Sequence, residues 1–169
     1  MRMRGSLAVA AVALLVLLAG ACDDGGGQSG PLTLEDYFQE LEGPATVLDG
    51  DSNALDGELA AAGTVEEARA VFTQYPGVLQ AFLDDLDEID PPAEAADAHN
   101  ETLETGAAFL TEFQNAIDSA SDATTFEELL AATESEAFVT ASDAFTATCL
   151  ALTEIAADNG ITVDLGCEE

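Results

Sequence analysis

Apolar residues recur along residues 34–59 at alternating spacings of three and four, which is the period of an α-helix with one buried face. This pattern predicts a helix over residues 33–61 that starts at a cap formed by Thr33 and Asp36. Gly43-Pro44 and Gly50-Asp51 interrupt the pattern, and a proline inside a helix costs about 3 kcal/mol. We therefore expect this first helix to be kinked or segmented. The apolar face consists of Leu34, Phe38, Leu41, Ala45, Leu48, Ser52, Leu55 and Leu59.

The same period predicts a second helix over residues 64–89. Thr64 and Glu67 form a capping box at its start, and Tyr75-Pro76-Gly77 predicts a kink or short break in its middle. Asp90-Pro91-Pro92 then separates this helix from the next. Its apolar face consists of Val65, Ala68, Phe72, Tyr75, Leu79, Phe82, Leu86 and Ile89.

Two further helices are predicted, over residues 92–120 and 124–158. In the third, Gly106 and Ala107 are small enough to let a neighbouring helix approach closely. In the fourth, Thr124 or Thr125 can cap the start, and a five-residue step in the apolar spacing predicts a break near residues 134–136. The apolar face of the third helix consists of Ala96, His99, Leu103, Gly106, Leu110, Phe113, Ile117 and Ala120.

Four amphipathic helices joined by short turns predict an all-α fold, specifically an up-down-up-down four-helix bundle with kinked helices. An intermolecular coiled coil is the alternative that the same spacing allows. The regular loops and prolines favour the intramolecular bundle and a monomer. In that topology one end of the bundle contains the N-termini of the first and third helices and the C-termini of the second and fourth helices.

The N-terminal segment has the layout of an export signal. Arg2 and Arg4 precede about a dozen apolar residues, which are too few to span a bilayer. The junction Leu18-Ala19-Gly20-Ala21-Cys22 resembles the lipobox of bacterial lipoproteins, although Ala19 stands where that pattern usually has Leu. The resemblance implies that residues 1–21 are removed and that Cys22 becomes the lipidated N-terminus. An ordinary secretory signal with Cys22 incidental is the alternative.

Residues 22–31, which contain Asp23-Asp24-Gly25-Gly26-Gly27, are too polar and glycine-rich to bury a core, so they predict a flexible tether. Residues 32–169 then form one helical domain. The lipid would anchor it to the extracytoplasmic face of the cell membrane. The domain is similar in style to small acidic exported lipoproteins of bacteria, on the stretch from Asp90 to His99 and on its cysteine-containing ending, and this similarity implies no activity.

The charge of the chain narrows the choice of partners. Its formal net charge is −31, and removal of the signal takes away two of the three strong cations and leaves Arg69. Such a protein repels phosphate backbones, so we expect no nucleic-acid partner. Salt adaptation of the protein and coding bias of the genome explain the scarcity of lysine equally well. A protein partner is compatible with this surface, but no motif identifies one.

Cys149 and Cys167 remain as a pair if Cys22 carries the lipid. The helix beyond Cys149 is predicted to stop at Asn159-Gly160, and about ten helical residues rise about 15 Å. The seven residues that follow can span about 23 Å, so the tail can fold back to Cys149. We expect a structural disulfide in the exported compartment. A metal or redox pair is the alternative, without a CxxC motif or a neighbouring histidine to favour it.

His99 is the only histidine of the chain. It could act as a ligand or a proton switch, because histidine titrates near neutral pH. The interpretation that we favour is a partly buried histidine that bonds to Tyr37 or to an acidic residue among 84–88. A di-iron bundle needs Glu-x-x-His motifs, and Ala96 stands three residues before His99.

Asp49, Asp51 and Asn53 place oxygen atoms at alternate positions, as the opening of a calcium loop does. The pattern departs from the EF-hand at Ala54, where glycine would turn the chain, and at Ala60, where a glutamate would close the site. These residues are therefore weak metal candidates, and a solvated acidic bend is the favoured interpretation. We expect no cofactor.

No catalytic motif stands out in the sequence. It contains no GxSxG elbow, no Walker loop and no Rossmann fingerprint. We therefore expect a non-enzymatic interaction or cell-envelope module. An acidic protein that binds or buffers calcium is the alternative.

Overall fold

The computed structural model describes residues 32–167, and every regular element in that range is a helix. The predicted lipobox, the tether over residues 22–31 and the last two residues lie outside it. The prediction of an all-α fold is confirmed for the described range. No helix in this range combines the length and apolar character needed to cross a membrane. The helices are α1 (Leu34–Ala61), α2 (Val65–Phe72), α3 (Tyr75–Asp87), α4 (Ala96–Ser119), α5 (Phe126–Ala131), a 3₁₀ helix (Ala132–Glu134) and α6 (Glu136–Asp158).

Helix α1 starts where the sequence predicts, because the Thr33 side chain accepts a hydrogen bond from the Asp36 backbone N–H at 3.2 Å. The helix runs through Pro44 and Gly50 without a break. Of the two outcomes that we expected, a kinked helix or a segmented one, segmentation is therefore wrong. Pro44 removes the hydrogen bond to the carbonyl of Glu40. Because Glu40 lies on the exposed side of the helix, water can replace that bond.

The second predicted helix is divided into α2 and α3 at residues 73–74, next to the proline that predicted the break. Thr64 and Glu67 form the predicted capping box, with the Thr64 N–H donating to the Glu67 carboxylate at 3.1 Å. Pro76 lies in the first turn of α3. Its missing N–H costs nothing there, because the first N–H groups of a helix lack partners in any case.

The start of the third helix was predicted four residues too early. Residues 93–95 form a turn in which the Ala95 N–H donates to the Pro92 carbonyl at 3.0 Å. The α-helical pattern begins only with the next bond, from the His99 N–H to the Ala95 carbonyl at 2.9 Å. Helix α4 therefore begins at Ala96 rather than at residue 92.

The fourth predicted helix is divided into α5, the 3₁₀ helix and α6, with the break at the predicted place. Thr125 caps α5 by accepting from the Glu128 N–H at 3.1 Å, and Ser135 caps α6 by accepting from the Phe138 N–H at 3.2 Å. The two capped starts explain why the apolar spacing shifts between these segments.

Two apolar clusters form the core. The larger one lies between α1, α3, α4 and α6 and includes Tyr37, Phe38 and Leu86, which are almost fully buried. The smaller one lies under α2 and α5, around Phe72 and Leu129. Helix α4 packs more extensively on α6 than on any other element.

The C-terminal segment after α6 folds back over the core. Gly160 has φ +73°, and the Ile161 N–H donates to the Ala156 carbonyl at 2.9 Å, so a Schellman motif ends α6 at the predicted stop. Residues 161–167 (the tail) then alternate between more and less buried positions, and Leu165 enters the core.

Cys149 and Cys167 form a disulfide with their Cα atoms 5.7 Å apart, as predicted. The bond joins the tail to α6, and the tail also lies against α1. A side chain built at Gly166 would meet Asp49 on α1 at 3.7 Å.

Candidate functional site

His99 and Tyr37 form a buried pair in the larger cluster. The Tyr37 hydroxyl lies 3.1 Å from His99 Nδ1, and the two side chains are 0% and 3% exposed. Of the partners considered for His99, the structure therefore selects Tyr37 on α1. Phe38 packs edge-on against the Tyr37 ring with the centroids 5.0 Å apart.

Burial governs the ionisation of both groups. Desolvation lowers the pKa of His99 from its usual 6.5, and the negative charges of Asp87 and Asp90 oppose that shift only in part. Desolvation likewise raises the pKa of the Tyr37 hydroxyl well above its usual range. At neutral pH the pair is therefore uncharged, and its geometry is that of a structural hydrogen bond in the core.

The three calcium-loop candidates lie in the interior of α1. Asp49, Asp51 and Asn53 are all exposed. A helix turns its residues by about 100° each, so alternate positions point to nearly opposite sides instead of wrapping one ion. No group of three or more histidine, cysteine or acidic residues among residues 32–167 is placed to hold a metal ion.

A concave apolar surface opens between α1 and the α4–α6 pair. It is a cavity of about 240 Å³ whose walls carry four aromatic rings, and we call it the aromatic groove. A second cavity of about 130 Å³ adjoins it, and both are lined by Leu48, Phe145 and Leu165. The residues that define the aromatic groove are Ala45, Leu48, Asp49 and Ser52 on α1, Tyr75 and Leu79 on α3, Phe109 and Phe113 on α4, Phe145 on α6, and Leu165 and Gly166 in the tail.

The four rings of the aromatic groove are in contact with one another. Tyr75 stacks on Phe113 with the centroids 5.7 Å apart, and Phe109 stacks on Phe145 at 6.0 Å. Phe109 also meets Phe113 edge-on at 5.8 Å. All four side chains are only partly buried, since the groove exposes part of their surface.

Acidic groups lie at one edge of the aromatic groove. Asp49 lies on its edge, and an adjoining polar recess is lined by Glu42, Asp49 and Asp164. The Tyr75 hydroxyl donates to the Asp56 carboxylate at 2.5 Å, and burial followed by this acidic partner raises the pKa of Tyr75 well above its usual range. The edge of the groove is therefore negatively charged.

Arg69, the strong cation of the described range, lies elsewhere. Its guanidinium donates to the backbone carbonyl of Ala123, so it joins α2 to the loop before α5. It does not line the aromatic groove.

Sequence reasoning placed Leu48, Tyr75 and Phe113 on apolar helix faces and did not predict the groove. The available signal was Ser52, a polar residue at an apolar-face position of α1. Comparison with protein-family models, with curated proteins and with solved structures finds no match to this chain.

Proposed function

We propose that this chain is a lipid-anchored helical module on the extracytoplasmic face of the cell membrane, which acts by binding and not by catalysis. The observation that carries the proposal is the sequence Leu18-Ala19-Gly20-Ala21-Cys22, which follows an export signal and precedes a glycine-rich tether. Acyl chains on Cys22 would hold the domain at the membrane surface, since two or more chains anchor far more firmly than one. The Cys149–Cys167 disulfide supports the assignment, because disulfides persist in exported compartments.

The role of His99 supports binding over catalysis. A general acid or base must reach the proton that it transfers. His99 is 3% exposed, and its Nδ1 atom already faces the Tyr37 hydroxyl. The aromatic groove offers an accessible concave surface, and its edge carries carboxylates without an accompanying histidine or cysteine nucleophile among the residues that line it.

The proposal includes the up-down-up-down arrangement of four helical units: α1, α2 with α3, α4, and α5 with α6. Two contacts between units support it. Tyr37 near the start of α1 meets His99 near the start of α4, and Asp56 near the end of α1 meets Tyr75 at the start of α3. In this arrangement the start of α1, which follows the tether, lies at the same end as His99.

The arrangement places the aromatic groove away from the lipid. It opens around Asp49 and Ser52, which lie about 24–29 Å along α1 from Thr33 at a rise of about 1.5 Å per residue. A monomer anchored in this way presents the groove to the extracytoplasmic space.

Fractionation of cells that express the full chain tests the anchoring. The wild-type protein is expected in the membrane fraction, and Cys22→Ala is expected to leave it. Ser29→Ala, a substitution in the same tether that retains the thiol, is the matched control and should stay with the membrane. Membrane association of Cys22→Ala equal to that of the control would contradict the proposal.

A further inference from the structure

We propose that the aromatic groove binds an organic cation with an apolar body, of the class of small aromatic or alkyl quaternary ammonium compounds. The inference rests on the proposed binding function and names the ligand class. Three features carry it: the shape of the groove, its aromatic walls and the sign of the charge around it.

The shape of the groove suits a small ligand. A closed apolar cavity of about 150 Å³ accepts a molecule of the size of benzene. The aromatic groove, at about 240 Å³, has room for a ring and a compact head group, and the adjoining cavity of about 130 Å³ extends the apolar surface. Leu165 and Gly166 line both cavities, and the disulfide at Cys167 joins this part of the tail to α6.

The walls of the groove favour a cation. The faces of aromatic rings carry negative electrostatic potential, and several rings around one site attract quaternary ammonium groups. Tyr75, Phe109, Phe113 and Phe145 are assembled around one cavity. The hydrogen bond from the Tyr75 hydroxyl to Asp56 makes the tyrosine ring more electron-rich and fixes its orientation.

The charge around the groove excludes anions. Asp49 is on its edge, and Glu42 and Asp164 line the adjoining recess. The residues that line the groove include no basic side chain, and the chain as a whole carries a formal charge of −31. A carboxylate or phosphate group would therefore be repelled, whereas a cation gains both the carboxylate of Asp49 and the ring faces.

Isothermal titration calorimetry on the full chain in nanodiscs of a zwitterionic lipid tests the inference, with empty nanodiscs as the blank and about 0.15 M salt to screen diffuse attraction. The probes share one ring and differ in charge: benzyltrimethylammonium, neutral benzyl methyl ether and anionic phenylacetate. Tetramethylammonium supplies the head group without the ring. We expect saturable one-to-one binding of benzyltrimethylammonium, with the other three at least about tenfold weaker.

Two variants and one control locate the site. Asp49→Asn should weaken benzyltrimethylammonium binding about fivefold and leave binding of the neutral ether unchanged. Asp97→Asn removes the same charge from an exposed position at the start of α4 and should have no effect. Ser52→Phe, which fills the groove, should abolish binding while the circular dichroism spectrum stays helical.

Equal binding of the neutral and cationic probes, or equal effects of Asp49→Asn and Asp97→Asn, would overturn the inference. Non-saturable binding that tetramethylammonium reproduces would show diffuse attraction to the acidic surface and would overturn it as well. The anchoring proposal is tested by a different experiment, the fractionation of cells that express Cys22→Ala, and it fails if that variant stays in the membrane fraction. The two results are therefore independent.

Discussion

Gly106 tests the packing of α4 most sharply, because two opposing effects decide the outcome of Gly106→Ala. Alanine is favoured over glycine in a helix interior by about 1 kcal/mol. At Gly106, however, the added Cβ would lie 2.5 Å from Leu83 Cδ2 and 3.2 Å from Phe145 Cε2. Leu83 is 6% exposed, so its side chain has little room to move. Overpacking of this kind costs about 1–3 kcal/mol, and we expect a net loss of about 1 kcal/mol.

Gly57→Ala is the matched control. Gly57 also lies inside a long helix, but a Cβ there would meet nothing within 4 Å. Only the helix propensity and the reduced freedom of the unfolded chain then count, and both favour alanine. We expect this variant to gain about 0.5–1 kcal/mol.

Urea unfolding followed by far-ultraviolet circular dichroism measures both variants with the disulfide intact. The midpoint should fall for Gly106→Ala and rise for Gly57→Ala, with little change in slope. In thermal unfolding, each kcal/mol corresponds to about 3 °C in Tm for a domain of this size. A Gly106→Ala protein as stable as the wild type would refute the claim that this glycine allows the close approach of α3 and α6.

Three further predictions concern the disulfide, His99 and the net charge. Replacing Cys149 and Cys167 with serine should lower the free energy of unfolding by about 3 kcal/mol, from the 18-residue separation; urea unfolding measures this, and an unchanged midpoint would contradict it. The pKa of His99, from its nuclear magnetic resonance titration, should lie below 6.5. A histidine with this lowered pKa binds a proton more readily in the unfolded chain than in the folded one, so the free energy of unfolding should decrease as the pH falls from about 6.5 to the pKa of His99 in the folded protein; a pKa above 6.5 would contradict this. Sodium chloride should raise Tm by screening the repulsion that a charge of −31 creates; a lower Tm in salt would contradict this.

The starts of several helices could be predicted from the sequence because they depend on local chemistry. Thr33, Thr64 and Thr125 each accept a hydrogen bond from a backbone N–H three residues ahead, as their spacing to Asp36, Glu67 and Glu128 indicates. The break before α6 and the stop at Asn159-Gly160 follow from the same kind of short-range signal. The disulfide was predictable because chain length limits where the tail can reach.

The start of α4 could not be predicted, because a proline pair is compatible both with a first helical turn and with the turn that residues 93–95 adopt. The continuity of α1 depends on the exposure of Glu40, which a spacing pattern does not specify. The contact between Tyr37 and His99 could not be predicted because it joins α1 to α4, and the spacing of residues within each helix does not show how two helices pack together.

The aromatic groove was missed for a different reason. Periodicity shows which side of each helix is apolar, but it does not show whether neighbouring apolar sides close on one another. Here Leu48 and Phe145 lie on the apolar sides of α1 and α6, and both line an open cavity beside the tail. A polar residue on an apolar face, Ser52, is the one local sign of that opening.

Intact mass measurement of the protein extracted from native membranes tests the central claim most directly. A lipid-anchored module predicts a chain that begins at Cys22 and carries added mass on that residue. Its mass should also be about 2 Da below that of the fully reduced form, because the Cys149–Cys167 disulfide forms with the loss of one hydrogen atom from each thiol. A chain that begins elsewhere, or a Cys22 without added mass, would contradict the claim.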